Sequence, residues 1–370
     1  MSLKLWVLLK KEFSQLFRDR VLVIVLIYAF TVVVYTGGKG VSLEVRNFPT
    51  IIQDQSKSVK SRELISRFRS PYFKILDFVE SDREIEEWFQ RGEAYLVVVI
   101  PPDFEKKIEE GRAKIQVIID GTISLTATMA ISYIAQITQD YAVEVMTYQG
   151  SVFFPQIEER IRILFNPNNL SSWFMSLLEL FNMTTMISLL ITSAALIREK
   201  EYGTVEQLLV TPVRSWEIFL AKIIPTVVVI TLLSMFSLLV MVEGVFKVPV
   251  RGSLLLFFLV TSLYVFTIAS VGITIATLVQ TLSQAMMIIL VILVPMLMIS
   301  GAWSPPEAMH PLIRYLSLLS PMRYYLSFGY GVLLKGNGLE YVWKDILGIS
   351  LIGVSLFALS ALKFKKSFAK

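Results

Sequence analysis

The chain has 370 residues, of which 54% are hydrophobic and 18% charged, with a net charge of +5, a single histidine and no cysteine. So apolar a composition excludes an ordinary soluble domain and points to a polytopic membrane protein. The absence of cysteine excludes disulfides and thiolate metal sites, His310 alone cannot form a histidine metal cluster or a Ser/His triad, and the positive charge lies beside apolar stretches, as topology rather than nucleic-acid binding requires.

Residues 1–20 predict an amphipathic helix. At helical spacing Leu5, Trp6, Leu9, Phe13, Leu16 and Phe17 share one arc, and Lys4, Lys11 and Arg18 share the opposite one. Such a helix lies in the inner membrane interface. Residues 21–38 hold the first apolar stretch, Val21–Gly37. Its long preceding region and the lack of an A-x-A-like site after it make it an uncleaved anchor rather than a signal peptide. The "GGKG" at Gly37–Gly40 lacks the upstream glycine and the Ser/Thr of a phosphate-binding loop.

Residues 39–171 are polar enough to form a separate domain of mixed α/β type. Its predicted strands are Thr50–Gln53, Phe73–Val79, Tyr95–Ile100 and Ile115–Ile119. Its predicted helices are Lys57–Phe68, Asp82–Gln90, Phe104–Glu110 and a long one from Ser124 towards Met146. Asp103 reads as an N-cap and Gly111 as a helix stop. The domain shows no catalytic set, and its acids fall mostly on helix faces.

Residues 172–362 carry five further apolar stretches: Ser172–Ile197, Ile218–Val242, Leu254–Val279, Ser283–Ser300 and Ile346–Leu362. A span needs about 20 apolar residues. Six spans place the basic N-terminus, the Arg198–Lys222 segment and the tail 363–370 together on the cytoplasmic side, and the 39–171 domain outside. A seventh span within 302–336 would bury Arg314 and Arg323 and send the tail outward. Two short helices dipping into the outer leaflet fit that proline-rich segment better, with Ser320-Pro321 opening the second. Irregular backbone at that depth must rest against protein or a cavity.

In "REKEYGTVEQLLVTPVRSWEIFLAK", Arg198–Lys222, Gly203 is a natural helix stop. Thr204 and Gln207 then have capping-box spacing, and Val205–Val210 reads as a short helix ended by Thr211-Pro212. That helix is either a turn packed on its own bundle or a knob, exposing Leu208 and Leu209, that docks in another protein. Within the second span, Glu179 is an intramembrane acid, and Glu179, Asn182, Met186 and Ser193 share an arc suited to a central path. The alternative is an acid near the outer interface, reached by water or paired with an arginine.

This stretch resembles the signature of membrane subunits of type-2 ABC exporters. "SPYFKILDFVESDREIEEWFQRGEAYLVVVIPPDFEKKIEEGRAKIQVIIDG" is similar to the extracytoplasmic domain of the bacterial drug-exporter-like branch. "LMISGAWSPPEAMHPLIRYLSLLSPMRYYLSFGYGVLLKG" resembles the region before the last span. The resemblance covers nearly the whole chain. One departure is Leu177-Leu178, where family members carry Pro-Gly.

The resemblance implies an α-helical polytopic protein of six spans with a mixed α/β extracytoplasmic domain between spans 1 and 2. It lies in the bacterial cytoplasmic membrane with both termini cytoplasmic. It further implies that residues 203–212 form the coupling helix that seats on a separate ATPase. The coupling set is Arg198, Glu199, Glu201, Gly203, Thr204, Glu206, Leu208, Leu209, Thr211 and Pro212. ATP and Mg bind that ATPase, so this chain is not itself an enzyme and holds no cofactor or metal. A second permease, an identical copy or a close paralogue, is expected because no internal repeat is visible. The lipid bilayer is a partner, and a periplasmic adaptor remains open. Two other functions compete: a membrane-anchored receptor or assembly factor using the outer domain, and a proton-driven secondary transporter. The first leaves five spans unexplained. The second predicts several intramembrane carboxylates and inverted repeats, whereas Glu179 is the one clear candidate.

Overall fold

The computed structural model describes residues 3–40, 47–119, 124–148, 170–203, 214–303, 306 and 309–367. Its first element, helix α1 (Leu3–Arg18), is the expected amphipathic helix. Asp19 interrupts it, and the Asp19 carboxylate accepts from the Leu22 amide at 3.0 Å to cap α2 (Arg20–Tyr28). A wide π-helical turn, Ala29–Val33, leads into α3 (Val34–Gly40), so Arg20–Gly40 runs as one apolar helix. The "GGKG" is therefore helical. A Cβ at Gly37 would meet the Glu179 Cγ at 2.8 Å, and one at Gly38 would strike the Phe246 ring. These glycines serve close helix approach.

Ser42–Arg162 form a separate compact unit. It holds β1 (Phe48–Asp54), α4 (Val59–Ile65), β2 (Phe73–Phe78), α5 (Asp82–Gln90), β3 (Leu96–Ile100), α6 (Phe104–Glu109), β4 (Gln116–Ile119) and α7 (Ser124–Tyr148). The sheet order is β2-β1-β3-β4, with β1 parallel to both neighbours and β4 antiparallel to β3. β3 is buried along its whole length, as a strand covered on both faces must be. Ile52, Val98 and Ile100 face α4, α6 and α7, whereas Ile51, Val97 and Val99 face α5. The four expected strands and four expected helices are all present. Gly111 is left-handed at φ +69°, as a helix stop requires. Asp103 does not cap α6: its backbone, at ψ 12°, lacks the extended geometry of a cap, and its carboxylate pairs with Lys107 instead.

The remaining unit is helical: α8 (Ser171–Glu201), α9 (Ser215–Ser237, prolonged by a π-helical stretch to Val245), α10 (Leu254–Leu278), α11 (Leu282–Met298), α12 (Pro311–Ser317), α13 (Pro321–Tyr330) and α14 (Leu339–Ser367). Five helices among the described residues are long and apolar enough to cross a membrane: Arg20–Gly40, Ser171–Glu201, Ser215–Val245, Leu254–Leu278 and Leu339–Leu362. The expected fifth span is represented by α11, whose 17 residues cover about 26 Å at 1.5 Å per residue. The segment before the last span does break into two short helices, α12 and α13. Pro321 takes the first helical position, but the Ser320 hydroxyl makes no capping bond.

Small residues and hydroxyls join these helices, as expected where apolar burial alone cannot drive association. Thr184 meets Ser234 at 3.0 Å, Thr185 meets the Tyr264 hydroxyl at 2.7 Å, and Thr274 meets Ser360 at 2.8 Å. Tyr264 and Tyr325 stack with ring centroids 3.9 Å apart.

Candidate functional site

Helix α8 ends as the sequence predicts. Gly203 is left-handed at φ +67°, and its amide donates to the Lys200 carbonyl at 3.0 Å. Thr204, Glu206, Leu208, Leu209, Thr211 and Pro212 lie outside the described residues, so the coupling helix itself does too. What the structure describes is the root from which that segment departs.

Four consecutive charged residues at this root reach four different places. The Arg198 guanidinium lies 3.7 Å from the Asp19 carboxylate, between α1 and α2. Glu199 accepts from Lys11 of α1 at 2.7 Å and lies 2.9 Å from Lys222 of α9. Lys200 donates to the Thr277 and Val279 carbonyls at the end of α10, at 3.3 and 2.9 Å. Glu201 accepts from the Leu282 amide that opens α11, at 2.7 Å. Lys200 therefore satisfies orphan carbonyls at one helix C-terminus, and Glu201 an orphan amide at the next N-terminus. Successive helical positions lie 100° apart, which is why neighbouring side chains reach different elements.

Glu199 points into the protein, at 8% exposure. It belongs to a quartet in which Lys222, at 3%, is the most buried member. The Lys222 ammonium donates to Glu12 at 3.1 Å and to the Ala195 carbonyl at 3.1 Å, and contacts Glu199. Three oxygens thus surround it, two of them accepting hydrogen bonds and the third an ion-pair contact. Burial opposes the charge of Lys11, but its hydrogen bond to Glu199 and the charges of Glu199 and Glu12 outweigh that. Lys11 therefore titrates above the ordinary lysine range.

The quartet orients α1. Leu5 and Leu9 pack on Ala221 of α9, and Glu12 follows them inward. Trp6 and Phe17 stay exposed, at 57% and 65%. The apolar arc read from the sequence is thus divided between a protein-facing and an outward-facing part. Sequence reasoning missed Glu12 and Lys222. The available signal was an acid on the leucine side of α1 and a lysine inside the apolar run of α9. Between α1, α2 and the end of α8 lies a cleft of about 890 Å³ that includes Gln15, Leu22, Ala194, Arg198 and Tyr202.

Further along α8, Glu179, Asn182 and Met186 form a half-exposed stripe. The Asn182 amide donates to the Glu179 carboxylate at 3.2 Å. Ser193 does not belong to the stripe. It is buried, and its hydroxyl donates to the Leu189 and Gly272 carbonyls at 2.7 and 3.1 Å. Gly272 lets α10 close over that position. Among the described residues no group of three His, Asp or Glu is placed to hold a metal ion.

The family model described as "ABC-2 family transporter protein" matches residues 21–362. The chain is 31% identical over 358 residues to "Inner membrane transport permease YhhJ" of Escherichia coli (strain K12), covering 96% of each protein. It is 30% identical over 351 residues to "Probable multidrug ABC transporter permease YbhR" of the same organism, covering 94% of this chain and 95% of that one. It is 29% identical over 362 residues to "Probable multidrug ABC transporter permease YbhS", covering 96% and 95%.

Proposed function

The chain belongs to the ABC-2 family of transporter membrane proteins, a transport subunit rather than an enzyme, and from that membership we propose that it is the permease of an exporter driven by a separate ATPase. In this reading α11 is the fifth of six membrane helices, both termini are cytoplasmic and residues 39–171 lie outside. Two copies form the path, and partner ATPases hold ATP and Mg. Their closure moves residues 203–212 and drives alternating access.

The observation that carries this reading is the root of that segment. Arg198, Glu199, Lys200 and Glu201 engage the α1–α2 junction, α1 with α9, the end of α10 and the start of α11. A displacement applied beyond Gly203 acts on all of them together, which is how a distant site biases a two-state element. Glu199 works from inside, as a positioning residue, and Leu208 and Leu209 are the proposed contacts with the ATPase.

The test is copurification. An aliphatic side chain contributes about 1.5–3 kcal/mol on full burial, and interface energy concentrates in few anchors. Leu209→Asp should insert and dimerise normally but copurify with little ATPase, whose hydrolysis substrate no longer stimulates. Full association and stimulated turnover would overturn the assignment.

A further inference from the structure

Glu179 is an acid at membrane depth for which the described residues offer no cation. It begins the third turn of α8, about 12 Å from the helix start at 1.5 Å per residue. Among the described residues no lysine or arginine nitrogen lies within the 4.0 Å of an ion pair, and Asn182 at 3.2 Å is its hydrogen-bond donor. Gly37 packs against its methylenes, so α3 supplies backbone there and no charge. Lys39, two residues further on, points to the other side of α3 and sits 5.0 Å from the Tyr35 ring centroid. Intramembrane acids elsewhere face partners of opposite charge or a pathway.

The surface around this acid is graded. Glu179, Asn182, Met186 and Leu190 are all half-exposed, along about 16 Å of one helix side. The polar pair stands at one end, and a polarizable thioether and an aliphatic chain stand at the other. An anion would meet an uncompensated carboxylate there, and a strongly hydrated metal ion would lack ligands. An organic cation carries its charge under apolar groups, so it loses little hydration on entering. We propose that Glu179 and Asn182, with Met186 and Leu190, bind lipophilic organic cations. This rests on the permease reading and names the cargo class: the carboxylate pairs the positive centre and the Met186–Leu190 side holds the apolar body.

The test uses the full-length chain in detergent and two ions of matched shape and opposite charge, tetraphenylphosphonium and tetraphenylborate. Equilibrium dialysis should find saturable binding of the cation. Binding should weaken at least tenfold in Glu179→Gln and persist in Glu179→Asp, which keeps the charge. Tetraphenylborate should bind weakly to the parent chain, and no more weakly to Glu179→Gln. Gel filtration of each variant establishes that the chain remains folded. Absence of saturable cation binding, equal affinity in Glu179→Gln, or equal binding of the two ions would overturn the proposal. So would a change of oligomeric mass in Glu179→Gln with cation binding intact, which would give the carboxylate to a second copy. None of these outcomes depends on the ATPase, and normal ATPase copurification beside absent cation binding would leave the permease reading standing.

Discussion

Lys222 donates to Glu12 and the Ala195 carbonyl and pairs with the Glu199 carboxylate in a place almost closed to solvent. Removing the charge leaves the Glu12 and Glu199 carboxylates with the half-exposed Lys11 alone, 3.9 and 2.7 Å away. Breaking a buried pair from one side costs about 3–5 kcal/mol. Lys222→Met should therefore lower the thermal midpoint of the purified chain strongly, and adding Glu199→Gln should recover part of the loss. Lys11 is different, because 42% of its side chain is exposed. Lys11→Met should cost under about 1 kcal/mol, as exposed pairs do. Its raised pKa fixes the sign with pH: its share of stability is full below the unfolded lysine value near ~10.4 and fades as pH rises through the higher folded value. Thermal midpoints should thus lose the Lys11 increment only in strong alkali. Little of this was legible beforehand. "REKE" announces charge, but Glu12 and Lys222 lie 210 residues apart, and only the folded packing of α1 on α9 makes them neighbours.

At the scale of elements, two glycines do opposite things. A Cβ at Gly203 meets nothing within 4 Å, so its cost lies in the backbone at φ +67°, on the order of 1–2 kcal/mol. A Cβ at Gly272 meets the Ser193 hydroxyl at 2.9 Å and the Leu189 carbonyl at 3.1 Å, so its cost is separation of α8 from α10. Gly203→Val should keep the thermal midpoint close to the parent's and lose ATPase copurification. Gly272→Val should lower the midpoint while the surviving fraction still copurifies. The converse pattern would reverse both roles. Most elements were readable because each carries its own period or stop: the β1 and β3 runs, Gly111 and Gly203. The misreadings share one cause. Whether Asp103 caps a helix, or Ser193 faces a path, depends on φ, ψ and a neighbouring helix that a local pattern does not contain.

At the scale of the molecule, the absence of cysteine makes topology directly measurable. A single cysteine at Ser56 should react with an impermeant reagent added outside, and one at Ser367 should not; labelling of both would sink the six-span arrangement. The quartet carries a further consequence, in time rather than space. Glu12 leaves the ribosome 210 residues before Lys222. At about 5–20 residues per second, that is an interval of about 10–40 s. Throughout it α1 has its amphipathic surface but not its cation, and if α1 is the interfacial helix proposed from its sequence, the exposed Trp6 and Phe17 would hold it at the bilayer. On this ordering, only the arrival of α9 would lock α1 in place. The closing of the root is thus ordered by synthesis, and a chain interrupted before Lys222 should keep α1 open to protease for as long as it stays stalled.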